Sequence, residues 1–308
     1  MLVHRSTVGV VVQAPAKLNL FFEVLGKRRD GYHEIETLMV PIGLSDTLSF
    51  EEDSGGQIVF ECLGTCPEDA TVGVPAIRET NPTTLPVGDE NLVVRAVDLI
   101  RRRAGVECGA KLRLVKRIPI AAGLGGGSSD AAAALVAANE AWQLGWPRSD
   151  LGQLAAELGS DVPFFLADGA AVCRGRGERI EPIETLGTMA FVVVRPPEGL
   201  STAAVYQRCE VPEKPKHVDP ILQFLQRGDW VRVGRLLFNR LQPVARELSV
   251  WICKLEDALG REDCLGHLMS GSGTCYFGLC RHMRHARRVA RRLRAIGVGT
   301  TYAVQTSR

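Results

Sequence analysis

The pattern of hydrophobic and polar positions predicts a β-rich layer at the start of the chain. Val8 to Gly26 is rich in β-branched and aromatic residues, which favours a strand. Ile35 to Leu44 is a second strand candidate, followed by Thr47 to Phe60, within which Ser54-Gly55-Gly56 is expected to form a hairpin connection. The following segment, Cys62 to Asp89, contains several prolines and glycines, so we expect an irregular excursion there.

Helical periodicity becomes prominent beyond this excursion. Apolar residues three and four positions apart predict amphipathic helices, whereas alternation over short runs predicts strands. The predicted helices are Asn91–Ala104, Ser129–Gln143, Asp150–Leu158, Thr202–Gln207, Asp219–Gln226, Trp230–Leu236, Leu248–Leu259 and Arg281–Ile296. The predicted strands are Ala110–Ile118, Ala170–Val172, Ala190–Arg195, Cys275–Leu279 and Tyr302–Val304.

The length and the change of texture predict two domains. A single hydrophobic core usually stops growing near about 250–300 residues, and this chain has 308. The chain becomes mainly helical after Pro196-Pro197-Glu198-Gly199. We therefore expect one domain over residues 1–196 and a second over residues 197–308.

Composition limits the classes of protein to which the chain can belong. Hydrophobic residues make up 45% and charged residues 23%, with a net charge of only +2, so nothing demands a polyanionic partner. The nine cysteines are scattered without a CxxC motif, which favours a reducing cytoplasmic location. Cys62 and Cys66 are interpreted as loop thiols rather than zinc ligands. No apolar stretch reaches the roughly 18 residues of a membrane span, so no membrane association is expected.

The most informative motif is the glycine-rich run PIAAGLGGGSSDAAAA from Pro119 to Ala134. Its glycines allow backbone N–H groups to turn inward, and the helix that follows adds unpaired N–H groups and a positive dipole end. These features predict a phosphate cradle.

Three other interpretations apply to the same residues. A Walker loop requires a lysine after the last glycine, but Ser128 follows here. A dinucleotide fingerprint requires GxGxxG, of which Gly123 and Gly125 supply only the first two glycines. A turn that merely starts a helix remains open, although four glycines cost much backbone entropy if no ligand is bound.

Four segments, in order, resemble the superfamily of galactokinase, homoserine kinase, mevalonate kinase and phosphomevalonate kinase, the GHMP kinases. They are APAKLNLFFEVLGKRRDGYHEIETL (Ala14 to Leu38), the glycine run, GSDVPFFL (Gly159 to Leu166) and MSGSGTCYFG (Met269 to Gly278). The resemblance spans nearly the whole chain. It implies an α+β, two-lobed fold, with an N-terminal lobe like domain 2 of ribosomal protein S5 and a C-terminal α+β lobe around a small antiparallel sheet.

The resemblance also implies a reaction. PAKLNL, DGYH and GLGGGSSDAA are similar to the branch that transfers the γ-phosphoryl group of ATP to the 2-hydroxyl of a cytidine-diphosphate-linked methylerythritol, in the non-mevalonate isoprenoid pathway. ATP and Mg²⁺ are the implied cofactors, and nucleotide and acceptor are expected to meet in a cleft between the lobes. The magnesium ligands are not assigned.

Asp161 is the candidate catalytic base, with Lys17 as its electrostatic partner. A carboxylate at the edge of an apolar run can accept the proton of the acceptor hydroxyl, but an Asp before Pro163 is equally typical of a helix N-cap. Likewise, a lysine in a strand ordinarily extends to solvent from the strand edge. The resemblance of GSDVPFFL and PAKLNL to the family favours catalysis for both residues.

The resemblance also implies binding residues. The acceptor is expected to contact Asn19, which shares a strand face with Lys17, together with Tyr32, His33, Tyr206, Gly271 and Ser272. ATP is expected to contact Gly123, Leu124, Gly125, Gly126, Gly127, Ser128 and Ser129, with Asn91 and Lys116 lining the adenine pocket. Asp130 is interpreted as a first-turn acid that stabilises the helix dipole.

Two rival functions remain. Another GHMP kinase would phosphorylate homoserine or a mevalonate derivative, and DGYH and the lysine in PAKLNL argue against this. A nucleic-acid-binding protein would use the arginines between Arg284 and Arg294, but a solvated helix face over an apolar stripe explains them better. The expected partner is therefore a small molecule, not nucleic acid, and the expected state is a monomer or a weak homodimer.

Overall fold

A computed structural model describes residues 1–7, 9–65, 77–79, 90–183 and 187–307. The strands are β1 Leu2–Ser6, β2 Gly9–Lys27, β3 His33–Asp53, β4 Ile58–Thr65, β5 Ile77–Glu79, β6 Gly109–Lys116, β7 Ala171–Gly175, β8 Arg179–Pro182, β9 Ala190–Arg195, β10 Phe238–Asn239, β11 Gly266–Met269, β12 Tyr276–Cys280 and β13 Thr300–Gln305. The helices are α1 Leu92–Ala104, α2 Gly126–Ala141, α3 Arg148–Leu158, α4 Thr202–Arg208, α5 Asp219–Gln226, α6 Trp230–Leu236, α7 Gln242–Leu248, α8 Val250–Gly260 and α9 Met283–Ala295.

The chain forms two compact units that alternate along the sequence. The first unit contains Met1–Ala16, Leu44–Ile118 and Gly125–Asp168, and the second contains Lys17–Gly43, Pro119–Leu124 and Gly169–Arg308. Strands β2 and β3 each contribute to both units. The division into residues 1–196 and 197–308 stays a prediction.

Among the described residues of the first unit, a mixed sheet supports helices α1, α2 and α3. Its strands follow the order β1-β2-β3-β6-β4-β5, in which β3 and β6 are antiparallel and β4 and β6 are parallel. Phe50 on β3 is fully buried and meets the edge of the Trp142 ring at a centroid distance of 5.2 Å. The apolar face of this sheet therefore forms the core on which the helices rest.

Helix α1 begins and ends where its sequence signals place it. The side chain of Asn91 accepts a hydrogen bond from the backbone N–H of Val93, and Gly105 ends the helix with a φ of 66°. Three arginines occupy the last turn, where cations suit the helix dipole. The buried face of α1 consists of Val93, Val94, Ala96, Val97 and Ile100.

The second unit contains the rest of β2 and β3 and a separate antiparallel sheet. β10 pairs with β2 in parallel, and β7 pairs with β3 and β8. The separate sheet has the order β11-β12-β9-β13 and packs against α7, α8 and α9 through one hydrophobic cluster. Helix α9 buries a stripe formed by His285, Ala286, Val289, Ala290 and Leu293.

The basic residues of α9 lie outside this stripe, and two of them have acidic partners within the unit. Arg288 pairs with Asp263 at 2.8 Å and Arg292 with Glu262 at 3.2 Å. These ion pairs agree with the interpretation of α9 as a solvated basic face. None of the helices in the described part of the chain is both long and apolar enough to cross a membrane.

Several predicted elements require correction. The hairpin at Ser54-Gly55-Gly56 is wrong, because β6 lies between β3 and β4 in the sheet. The two strands expected over residues 35–60 are instead largely the continuous strand β3, and β4 begins at Ile58. The helix expected over Leu248–Leu259 begins at Val250, since Ser249 is extended and caps α8.

Helix α2 begins at Gly126, three residues before the predicted start. Val8 and most of the Cys62–Asp89 excursion lie outside the described residues. Within the excursion, the described parts are the end of β4 and strand β5, which pair antiparallel. The α+β fold class itself is confirmed by the mixed sheet and its packed helices.

Candidate active site

Lys17 lies near the middle of β2, and its ammonium group is part of a buried polar network in the second unit. The residue is 3% exposed, and its Nζ donates a hydrogen bond to Asn19 Oδ1 at 2.6 Å. Asn19 Nδ2 in turn donates to Thr37 Oγ1 at 2.9 Å, and Thr37 donates to the carbonyl oxygen of Phe21 at 2.7 Å. These three bonds fix the orientation of the amide, which holds its oxygen toward the ammonium.

Two glycine turns converge on this network. Gly123 has a φ of 73°, and a Cβ atom on it would collide with the carbonyl oxygen of Ser270. Gly271 has a φ of 58°, and a Cβ atom on it would lie 3.3 Å from Lys17 Nζ, Asn19 Oδ1 and the carbonyl oxygen of Gly123. Both positions therefore need glycine for backbone conformation and for space.

Side chains from these turns add further polar contacts. Ser270 Oγ donates to the carbonyl oxygen of Gly123 at 3.0 Å, and Ser272 Oγ lies 2.7 Å from Thr202 Oγ1. The backbone N–H of Lys17 donates to the carbonyl oxygen of Leu124 at 3.0 Å. Within the second unit the structure thus brings the predicted residues Lys17, Asn19, Gly123, Leu124 and Gly271 together.

A second group of predicted residues in the same unit is aromatic. The rings of His33 and Tyr206 lie 5.2 Å apart with an interplanar angle of 34°. Burial, and then the charge of Lys27, lowers the pKa of His33, which favours the neutral ring. His33 Nε2 is buried without a hydrogen-bond partner among the described residues. Tyr32 differs, because it is 53% exposed and lies under the Arg176 guanidinium at 5.0 Å.

The second half of the glycine run starts α2 in the first unit. Gly125 occupies the N-cap position with a φ of 70° and provides no side-chain cap. Gly126, Gly127 and Ser128 form the first turn, whose backbone N–H groups have no partner within the helix. The hydroxyl of Ser129 is fully buried and has no hydrogen-bond partner in the described part of the chain. This helix start has the donors expected of an anion site.

Lys116, at the end of β6, lies beside this helix start. Its Nζ donates to Asp130 Oδ2 at 2.6 Å and forms a shorter bond to Asp46 Oδ2. A Cβ atom on Gly126 would lie 3.2 Å from the same Nζ atom. Asp46 also accepts hydrogen bonds from the backbone N–H groups of Arg117 and Ile118. This buried triad joins β3, β6 and α2.

The triad shifts the pKa values of its members. Burial raises the pKa of the Asp130 carboxyl to about 8, although the Lys116 charge acts in the opposite direction. Burial alone would lower the pKa of Lys116, but the charges of Asp130 and Asp46 more than offset this and raise it. Both pKa values are raised for one reason, since a single ammonium group faces two carboxyl groups. When one extra proton is kept among them, the buried triad is neutral overall.

Asn91 and Asp161 occupy two further sites in the first unit. Asn91 is buried and caps α1 through its side-chain oxygen. Asp161 is partly buried and lies between α3 and a short 3₁₀ helix, Pro163–Leu166, whose N-cap position is Val162. The N-cap residue of this 3₁₀ helix is therefore Val162, and the alternative role of Asp161 as its N-cap is wrong.

Three residues of these networks were missed in the sequence. Thr37 orients Asn19, Ser270 bonds to Gly123, and Asp46 completes the Lys116 triad. Ser270 precedes the predicted Gly271 in the MSGSGT motif, so adjacency could have indicated it. Thr37 and Asp46 carry no local signal, because their partners are distant in sequence.

Comparison with known proteins places these features in a family. The model of the GHMP kinases N terminal domain matches residues 91–169, and that of the GHMP kinases C terminal domain matches residues 221–299. A protein of Pelotomaculum thermopropionicum named 4-diphosphocytidyl-2-C-methyl-D-erythritol kinase is 42% identical over 287 residues, which cover 92% of this chain and 94% of the relative.

Solved structures agree with this match. The crystal structure of a 4-(cytidine 5'-diphospho)-2C-methyl-D-erythritol kinase is 35% identical, with a TM-score of 0.77 over 97% of this chain and 100% of that chain. The crystal structure of homoserine kinase from Cytophaga hutchinsonii has a TM-score of 0.73 over 100% of this chain and 97% of that one, at 17% identity. At this low identity, the similarity to homoserine kinase supports the fold alone.

Proposed function

The chain belongs to the 4-diphosphocytidyl-2-C-methyl-D-erythritol kinase family of GHMP kinases, and on this basis we propose which of its residues bind ATP, bind the acceptor and catalyse phosphoryl transfer. The protein is a small-molecule kinase that phosphorylates the 2-hydroxyl of 4-diphosphocytidyl-2-C-methyl-D-erythritol in the non-mevalonate isoprenoid pathway, with ATP as phosphate donor. The roles of its individual residues are the subject of the proposal.

The start of α2 and the glycine run before it bind the phosphates of ATP. The uncapped first turn supplies backbone N–H donors, and the positive end of the helix dipole favours negative charge. Gly123, Leu124, Gly125, Gly126, Gly127, Ser128 and Ser129 make up this phosphate loop. Asn91 and Lys116 line the adenine pocket. Asn91 also caps α1, and Lys116 also bonds to Asp130 in α2.

Magnesium fits the same loop. The buried, unpartnered hydroxyl of Ser129 and phosphate oxygens are the hard oxygen ligands that Mg²⁺ prefers. Ser129, with Ser128 beside it, would hold the ion. When bound there, Mg²⁺ would neutralise negative charge that develops on the transferred phosphoryl group.

His33 and Tyr206 bind the cytidine end of the acceptor. Two rings 5.2 Å apart provide an aromatic surface for a pyrimidine, and the unpartnered Nε2 of a neutral imidazole can hydrogen-bond to the edge of the base. Tyr32 extends this surface from a more exposed position. Gly271 and Ser272 contact the sugar phosphate, and Asn19 binds its hydroxyl groups.

Asp161 accepts the proton of the 2-hydroxyl as the new oxygen–phosphorus bond forms. Lys17 stabilises charge that develops on the acceptor oxygen and the phosphoryl group. The Asn19–Thr37 hydrogen bonds preorganise the ammonium, so little reorganisation is needed during the reaction.

One observation carries most of this proposal. A lysine that is 3% exposed donates to Asn19 Oδ1, and the Gly271 turn approaches so closely that a Cβ atom there would lie 3.3 Å from the lysine Nζ. The alternative of a lysine that simply extends to solvent does not account for this burial.

The experiment measures ADP release with three acceptors: 4-diphosphocytidyl-2-C-methyl-D-erythritol, homoserine and mevalonate. We expect turnover with the cytidine-linked acceptor alone. Asp161→Asn is expected to lower turnover by about 10²–10⁴-fold, because general base catalysis is lost. Asp168→Asn, at an exposed aspartate paired with Arg148, is the matched control and should stay within about twofold.

The substrate and the catalytic base can be refuted separately. Absence of turnover with the cytidine-linked acceptor would refute the substrate, and turnover with homoserine or mevalonate would point to another GHMP kinase. Full activity of Asp161→Asn would refute the assigned base and leave the substrate intact.

A further inference from the structure

The second unit contains a group of ligand atoms that phosphoryl transfer does not use. Cys264 lies just before β11, Cys280 is the last residue of β12, and His285 is in the first turn of α9. The two sulfur atoms are 4.0 Å apart, and one ring nitrogen of His285 lies within 4.8 Å of both. Three separate elements therefore direct two thiols and an imidazole at one point.

Neighbouring residues hold this group in place. The Nε2 atom of His285 lies 2.9 Å from Asp263 Oδ1, a contact typical of the carboxylate that orients a metal-binding histidine. The nitrogen left for a metal is Nδ1, where the ion would replace the 3.3 Å hydrogen bond that Nδ1 accepts from the backbone N–H of Arg281. Arg281 and Arg288 both donate to Asp263 and fix its position. Cys280 and His285 are buried, whereas Cys264 is partly exposed and so leaves a path from solvent.

The spacing of the sulfurs suits a metal ion better than a disulfide. Tetrahedral zinc with Zn–S bonds of about 2.3 Å separates its two sulfur ligands by about 3.8 Å, close to the observed 4.0 Å. A disulfide requires an S–S distance of about 2.05 Å, so the sulfurs would have to approach by about 2 Å. Thiolate and imidazole ligands together favour Zn²⁺ over Mg²⁺ or Ca²⁺.

We propose that Cys264, Cys280 and His285 bind one Zn²⁺ ion per chain, with a water molecule as the fourth ligand. Each thiol releases its proton to solvent on binding, and the two thiolates neutralise the dication. The ion and its two thiolates together therefore carry no net charge, so they do not repel the nearby guanidinium groups of Arg281 and Arg288.

The site is distinct from the kinase residues in the same unit. Cys280 ends β12, and the Gly271–Gly273 turn precedes the other end of that strand. The five residue-to-residue steps of extended chain from Cys275 to Cys280 span roughly 17 Å. Zinc at this site ties β11, β12 and α9 together and takes no part in phosphoryl transfer.

The test uses the full-length protein, freed of metal by a chelator and kept reduced. Titration with Zn²⁺ should reach one equivalent, and Co²⁺ should give tetrahedral ligand-field bands and a thiolate-to-cobalt charge-transfer band. Saturating Zn²⁺ should raise the thermal unfolding midpoint by about 5 °C, because the ion binds only the folded state. Absence of the charge-transfer band or of saturable Zn²⁺ binding would overturn the proposal.

Variants locate the ion and separate binding from folding. Cys264→Ser and His285→Gln should each weaken Zn²⁺ binding by more than about 100-fold, and Asp263→Asn by about 10–100-fold through the orientation of His285. Cys253→Ser, on α8 in the same unit, is the matched control and should bind Zn²⁺ normally. Because Cys264 is partly exposed, Cys264→Ser should retain kinase turnover, which reports folding.

Two outcomes would contradict the assignment of these ligands. Unchanged Zn²⁺ affinity in a folded, active Cys264→Ser variant would place the ion elsewhere. Loss of two titratable thiols on mild oxidation of the Zn²⁺-saturated protein, with no release of Zn²⁺, would show a Cys264–Cys280 disulfide that forms independently of the metal.

Discussion

The two units each bury a lysine, and the two lysines have different surroundings. Lys116 in the first unit lies between the carboxylates of Asp46 and Asp130, and its bonds join three elements of the fold. Lys17 in the second unit donates to the amide of Asn19 and lies beside two glycine turns. Lys116 therefore compensates charge that the protein itself has buried, whereas Lys17 is the cation to which we assign a catalytic role.

This contrast gives a general criterion for a buried cation. One that bridges buried carboxylates is expected to act mainly on stability, since its removal leaves a charge without compensation. One that lies where two glycine turns meet, as Lys17 does, is expected to act mainly on chemistry. The predictions below challenge or refine this distinction.

Lys116→Met is expected to have the largest effect on stability. Asp46 and Asp130 would remain buried without their cation, at a cost of about 3–5 kcal/mol in the free energy of unfolding. Urea unfolding measures this loss. Adding Asp46→Asn and Asp130→Asn should recover most of it, because the buried charges are then gone; no recovery would mean that the triad does not stabilise the fold through charge compensation.

Lys17→Met is expected to lower turnover by about 10²–10³-fold, the usual cost of removing one preorganised group that stabilises transition-state charge. Steady-state kinetics with ATP and the cytidine-linked acceptor measure the change, and circular dichroism checks that the variant is folded. Lys111→Met removes an exposed strand lysine and is the matched control. Equal activity of the two folded variants would remove the distinction between Lys17 and an ordinary strand lysine.

Gly123→Ala and Gly127→Ala compare the two halves of the glycine run. The first substitution places a Cβ against the Ser270 carbonyl oxygen at a φ of 73°, and we expect it to cost about 1–3 kcal/mol of stability. The second places a Cβ in a helix turn where Leu92 Cδ1, at 3.9 Å, is the nearest atom, so it should be neutral or stabilise by up to about 1 kcal/mol. Similar unfolding midpoints would contradict the tight turn at Gly123.

Asp130 is expected to change the pH dependence of stability. The folded protein holds the Asp130 proton up to a pKa of about 8, whereas the unfolded chain releases it near pH 4. The folded state therefore binds more protons between these values, and stability falls as pH rises through this window. Urea unfolding at pH 6 and pH 8 should show a shallower fall in Asp130→Asn; equal slopes would refute the raised pKa.

The parts of the fold that follow from local signals were predictable. Helix α1 has its Asn91 cap and Gly105 terminator in the sequence, and the glycine run indicated the start of α2 to within three residues. The insertion of β6 between β3 and β4 was not predictable, because strand order depends on pairing between distant segments. The glycines at residues 55 and 56 indicate a turn but not the partner of the strand that follows.

The candidate site shows the same limit. Lys17 and Asn19 share a face because they are two residues apart on a strand, and this follows from sequence. Asp46 is 70 residues from Lys116, and Cys264 and Cys280 lack any metal-binding spacing, so only the folded chain brings these groups together. Side chains that act through distant partners are those that sequence reasoning misses.

The most direct test of the catalytic assignment is a double-mutant cycle on turnover with Lys17→Met, Asp161→Asn and the combined variant. If both residues serve the same proton-transfer step, the combined variant should lose about as much activity as the more damaging single variant. Losses that multiply, so that the combined variant falls by the product of the two single effects, would show that Lys17 and Asp161 act independently and would contradict the account.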